Sequence, residues 1–132
     1  MINFESLLYS YNALEPYYNE ETLKIHHDIL YKGYVDNTNK TEENLRIARN
    51  TDDYSNIKCL EKNLSFFGSG AILHKMFFEN MCAISNKNPS NKLLEQFTID
   101  FGGFEKFKKQ FNNAASNVEA SRMVYFSICS RI

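Results

Sequence analysis

With 132 residues and a formal net charge of −1, the chain has room for one core, or one core with an appendage, and no bulk charge that would draw nucleic acid or an anionic membrane. Apolar residues at 43% and charged residues at 23% are the balance of a globular chain, which excludes a disordered one. Eleven Phe and eight Tyr with no Trp call for a core built largely from rings.

Residues 1–18 are aromatic and irregular. Pro16 stops any earlier helix and biases Glu15 toward an extended conformation. Asn19 is placed to cap a helix, with Glu20 and Glu21 suited to its positive end. That helix is expected to run to about Asn37, with Leu23, His26, Leu30, Gly33 or Tyr34, and Asn37 as its inner stripe.

The stretch 38–53 is polar, and Thr41 can cap a short helix carrying Leu45 and Ala48. A second long helical pattern runs from about Tyr54 to Met81 through Ile57, Leu64, Phe67, Ala71, His74 and Phe77 or Phe78. Gly68-Ser69-Gly70 sits inside it, at a cost of about 1 kcal/mol per glycine relative to alanine. The pair marks either a break or the close approach of another backbone.

Residues 85–91 form the clearest linker, so two domains are expected, 1–84 and 85–132. Leu93, Leu94 and Phe97 make a short helix, which Gly102-Gly103 ends before another opens on Phe104, Phe107 and Phe111. The run Glu105-Lys106-Phe107-Lys108-Lys109 is the wet face of that helix. Met123 to Cys129 reads as a strand with no ladder partner in the chain.

Cys59, Cys82 and Cys129 are odd in number and far apart, which is neither a disulfide framework nor a structural zinc pattern. Free buried thiols in a reducing cytosol are expected. No basic start leads into an apolar run, and no apolar stretch approaches the about 20 residues of a membrane span. A cytoplasmic location and no membrane partner follow as expectations.

Three histidines remain as the candidates for chemistry. His26 and His27 are neighbours and point about 100° apart on a helix, so one site takes only one of them. The inner stripe selects His26, and His74 falls on the aromatic side of its own helix. One inward imidazole from each of two packed helices is how bundle cores build metal sites. A lone histidine on an apolar stripe is more often a hydrogen-bonded core residue, and the residues alone leave both readings open. By helix rise, His26 lies about 17 Å from the end of its helix and His74 about 30 Å into the next. They meet only if the second helix overhangs or the glycine break resets its path. A Cys–His pair built on Cys59 or Cys82 with His74 lacks any feature that activates the thiol, and the paired carboxylates sit in polar connections.

The segments Tyr11-Asn12-Ala13-Leu14-Glu15-Pro16-Tyr17, Glu21-Thr22-Leu23, His26-His27 and Tyr34-Val35 together resemble the N-terminal signature of iron/manganese superoxide dismutases. Leu73-His74-Lys75-Met76-Phe77-Phe78-Glu79-Asn80-Met81 is similar to that family's second-ligand helix. The segment from Phe101 to Phe111 resembles its Phe-Gly-Ser-Phe-type stretch, which opens the α/β half. The three blocks lie in family order and cover nearly the whole chain.

The resemblance implies a mainly α chain: a long antiparallel helical hairpin, then the first helices and first strand of an α/β domain whose remainder is missing. It also implies a mononuclear iron or manganese cofactor, with His26 and His74 at the hairpin ligand positions and Tyr34 as the tyrosine beside the substrate channel. Superoxide is then the substrate. The family's Asp-x-Trp-Glu-His-type motif, which carries two further ligands, is absent here. Arg122 and Met123 stand where the family has Gly-Trp, and Leu30 where it has a second histidine. Gly70 stands where iron-type members carry an active-site Gln.

Three expectations follow from these departures. The first is a dismutase impaired by its missing ligands. The second is a non-enzymatic metal-binding or interaction module that pairs with itself as a homo-oligomer or with a full-length dismutase chain. The third is a gene fragment with no function of its own.

Overall fold

Asn19 starts the first helix: its side-chain oxygen accepts from the backbone N–H groups of Glu21 (2.9 Å) and Thr22 (3.2 Å), which have no partner inside the helix. The computed structural model describes residues 1–83, 88–119 and 123–127. The chain divides into two compact units, Met1–Ser85 and Asn86–Ile132.

In the first unit, α1 (Glu20–Lys24) passes into a π-helical segment (Ile25–Tyr31) and then α2 (Lys32–Thr51) without interruption. The expected stop near Asn37 is therefore wrong. The polar stretch 38–51 stays helical because its buried threonines satisfy themselves locally. Thr38 Oγ1 donates to the Tyr34 carbonyl and Thr41 Oγ1 to the Asn37 carbonyl, each at 2.7 Å. Asp52, in the left-handed region at φ 54°, ends the helix.

The inner stripe also differs from expectation. The buried face carries Leu23, His27, Tyr31 and Val35, then Thr38, Thr41, Leu45 and Ala48. The π segment takes more residues per turn than an α-helix, so a spacing of four stays in register there. Leu30 is 50% exposed and Asn37 is also at the surface, while His26 and Tyr34 are half-buried beside the core stripe.

The second arm, α3 (Ile57–Glu79), is unbroken through Gly68-Ser69-Gly70. It runs antiparallel to the first, as the pairing of His26 with His74, Tyr34 with Gly70, and Thr38 with Gly68 shows. Leu14, Leu23, Tyr31, Val35, Ala71 and Phe78 form the core. Full burial of a Leu or Val side chain stabilises by about 1.5–3 kcal/mol, so the fully buried Leu23 and Val35 anchor the pairing of the arms. The N-terminal segment lies along the hairpin. Asn39 Oδ1 accepts from the Ile2 N–H (2.8 Å), its Nδ2 donates to the Ile2 carbonyl (2.9 Å), and Tyr9 Oη donates to the Phe78 carbonyl (3.1 Å).

In the second unit, Ser90 caps α4 (Asn91–Phe101), and α5 (Phe104–Ser116) follows after two glycines. Gly102 at φ 75° and Gly103 at φ 129° hold backbone conformations that favour glycine, which is why this pair can turn the chain so tightly. Phe97, 3% exposed, stacks on Phe107 (4.2 Å between centroids) and is flanked by Phe104 and Phe126. The charged run from Glu105 to Lys109 faces water around Phe107. Residues 123–127 pair in no ladder among the described residues, and Ile128 and Cys129 lie outside them. Cys59 and Cys82 are free and exposed, which corrects the expectation of buried thiols. Among the described residues no helix is long and apolar enough to cross a membrane.

Candidate metal centre

The continuous first arm brings His26 and His74 together with no break in either helix. Their ring centroids lie 4.9 Å apart at 77°. Phe77 and Phe78 flank His26 at 5.2 and 5.1 Å, and Tyr34 lies 4.8 Å from His74. Sequence reasoning thus named three residues that the fold gathers in one place.

The hydrogen bonds separate the two neighbouring histidines. His27 is 2% exposed and both its ring nitrogens are engaged: Nε2 with the Glu5 carbonyl (2.9 Å) and Nδ1 with Asp28 Oδ1 (2.6 Å). It is a core residue that ties the N-terminal segment to the helix, with no nitrogen left for a ligand. His74 Nδ1 donates to the Gly70 carbonyl at 2.7 Å, so the neutral ring keeps its lone pair on Nε2. His26 Nδ1 meets Tyr18 Oη at 2.7 Å, and its Nε2 has no hydrogen-bond partner among the described residues.

Burial is the first reason that the His26 pKa falls below its ordinary value, with repulsion from His74 and His27 next. The shift favours the neutral ring, the form in which imidazole binds a transition metal. Leu30, one turn beyond His26, is a half-exposed apolar side chain. Gly70 leaves its space to the Tyr34 ring: an added Cβ would lie 2.4 Å from that ring. The close approach anticipated at the glycines is therefore real, but by a side chain instead of a backbone. Among the described residues, no third His, Cys, Asp or Glu joins the pair.

Tyr18 is the contact that sequence reasoning missed. It stands just before the helix cap, outside any helical period, so periodicity had no means of associating it with His26. A cleft of about 50 Å³ beside His27, bordered by Glu5, Lys75 and Glu79, takes in neither His26 nor His74. Its charged rim is already paired, since Lys75 bridges Glu5 and Glu79.

A helical hairpin that presents one imidazole from each arm, with a tyrosine beside them, has the arrangement from which helical bundles build metal sites. Residues 2–82 match the family model described as iron/manganese superoxide dismutases, alpha-hairpin domain, and the chain belongs to that family. It is 39% identical over 127 residues to an iron superoxide dismutase of Methanothermobacter marburgensis, covering 95% of this chain and 63% of that protein. An iron superoxide dismutase of Pyrobaculum aerophilum is 39% identical over 115 residues, 86% of this chain and 54% of its own length. A manganese superoxide dismutase of Halobacterium salinarum is 37% identical over 110 residues, 83% of this chain and 55% of its own length. The chain therefore spans less than two thirds of the length of these relatives.

Proposed function

We propose that this chain carries the hairpin part of a superoxide dismutase centre, in which two superoxide ions and two protons become dioxygen and hydrogen peroxide. Iron or manganese is the cofactor, His26 and His74 are its ligands, and Tyr34 is the tyrosine beside it. The observation that carries this reading is the pair of rings from opposite arms, in a chain of this family.

The donor set suits the cofactor. The His26 and His74 rings, 4.9 Å apart between centroids, would hold the ion through Nε2, the nitrogen that the partners of Nδ1 leave open on each ring. Neutral imidazoles suit borderline first-row ions. When bound, the ion supplies the one-electron couple that oxidises one superoxide and reduces another.

The chain's own residues set the conditions for that chemistry. The Gly70 carbonyl holds the Nδ1 proton of His74 and leaves Nε2 as donor. Phe77 and Phe78 keep water from their side of His26. Tyr34, lying against His74, is assigned to hold and orient protons near the site. With two donors among the described residues, the other ligands come from elsewhere. The free thiols of Cys59 and Cys82 are in keeping with a reducing, cytoplasmic setting.

A second reading, an interaction module that binds without turnover, has one observation in its favour. Phe66, 58% exposed, packs against Tyr34 at 5.7 Å and extends an apolar surface beside the site. The partner class would be a second copy or a full-length dismutase chain. Sedimentation of the purified protein separates the readings, since a monomer that ignores metal speaks against the module.

Elemental analysis after loading with iron or manganese tests the metal reading, with His74→Ala as comparison. The unaltered chain is expected to retain metal that the variant loses, and to inhibit superoxide-driven reduction of cytochrome c far less than a full-length relative does. Equal metal in both chains would overturn the assignment.

A further inference from the structure

His74 and His26 are oriented by different means. His74 bonds a carbonyl of its own helix, one turn back. His26 makes no such bond, and its Nδ1 is met instead by Tyr18 Oη at 2.7 Å, a side chain from outside the helix. We infer that Tyr18 is the positioning residue of the site: its phenol oxygen fixes the His26 ring so that Nε2 is the nitrogen presented to a metal. This inference rests on the metal reading above.

Three features hold Tyr18 in place. Its N–H donates to the carbonyl of the buried Leu14 at 3.0 Å, which locks the turn before the helix. Asn19, the next residue, is the helix cap, so the backbone is held on both sides. The Tyr18 ring meets Phe77 edge-on at 6.4 Å, and Phe77 itself flanks His26. Turning an imidazole by 180° about its Cβ–Cγ bond exchanges Nδ1 with Cδ2 and Nε2 with Cε1. A partner on Nδ1 therefore selects which edge faces the site. Once Nε2 is the metal donor, the proton resides on Nδ1, and the phenol oxygen accepts it. Partners of this kind commonly contribute 10- to 100-fold in metal affinity.

The test compares Tyr18→Phe with the unaltered chain and with Tyr17→Phe, whose ring is 82% exposed. Zinc(II), which is redox-silent, serves as the probe. Affinity is read by competition with a chromophoric chelator, and the ring nitrogens by proton–nitrogen NMR on labelled protein. Tyr18→Phe is expected to weaken zinc binding about 10- to 100-fold, and the His26 Nδ1–H resonance to move upfield and exchange faster with water. Tyr17→Phe is expected to stay within twofold of the unaltered chain. Affinity within twofold in Tyr18→Phe, or an equal loss in Tyr17→Phe, would overturn the inference. If the unaltered chain binds no zinc, the metal reading fails, and the metal-free spectra still decide the role of Tyr18. Altered His26 nitrogen shifts in Tyr18→Phe then support it, and unaltered shifts sink it.

Discussion

Gly70 and Tyr34 occupy one space between the two arms of the hairpin. A Cβ on Gly70 would sit 2.4 Å from two carbons of the Tyr34 ring, and the same ring lies 4.8 Å from His74. The glycine is what allows the tyrosine to rest against the histidine. Gly68, two residues away, has only a methyl of Thr38 nearby, at 3.9 Å.

These two glycines predict opposite outcomes for one substitution. Gly68→Ala gains helix propensity at ordinary contact distance and should stabilise by up to about 1 kcal/mol. Gly70→Ala gains the same propensity but forces the Tyr34 ring aside, an overpacking cost of about 1–3 kcal/mol that outweighs it. Thermal unfolding should place the midpoint of Gly68→Ala above that of Gly70→Ala. The reverse order would mean the Tyr34 ring moves away freely.

Asp28 predicts a dependence on acid. Its hydrogen bond with His27 is the main reason its carboxyl lies below the ordinary value of 3.8; burial opposes that effect, and the Tyr11 hydrogen bond adds to it. A carboxyl with a lower pKa when folded binds fewer protons than in the unfolded chain, so it favours folding fully above pH 3.8. The contribution is lost as pH falls through the folded value. In acid titrations of unfolding, Asp28→Asn should be less stable than the unaltered chain at pH 6, and the gap should close below pH 3.8. A gap that stays constant with pH would show that the carboxylate charge contributes nothing.

Phe97 predicts a local collapse. It is nearly inaccessible and stacks on Phe107 within a cluster of rings that joins α4 and α5. Phe→Ala at a buried site costs about 3–5 kcal/mol, a large loss for a unit with so small a core. Hydrogen exchange should accelerate throughout residues 91–116 in Phe97→Ala. Protection unchanged in α4 and α5 would show that the ring cluster is not their core.

Much of this architecture was legible from residue order, for reasons that act over short distances. Asn19 caps because its side chain reaches N–H groups two and three residues on. Gly102-Gly103 divides α4 from α5 because positive φ costs glycine little. The reading failed where distant atoms decide. The polar stretch 38–53 reads as a place where the first helix has ended and Thr41 caps a separate short one. Yet α3 packs against α2, and Thr38 and Thr41 bond back to their own helix, which runs on to Thr51. The stripe through His26 and Leu30 assumed 3.6 residues per turn, and the π segment moved burial onto His27 and Tyr31.

Residue order by itself determined the two helical arms, the glycine pair after α4 and the family to which the chain belongs, since these follow from local preference and from motifs written in sequence. Tertiary structure alone decided which of two adjacent histidines is sealed in the core and which stays available. That choice depends on where the Glu5 carbonyl, Asp28 and the Tyr18 hydroxyl come to rest. A hydrogen bond requires about 3 Å between atoms, and only the folded chain brings Tyr18 that close to His26.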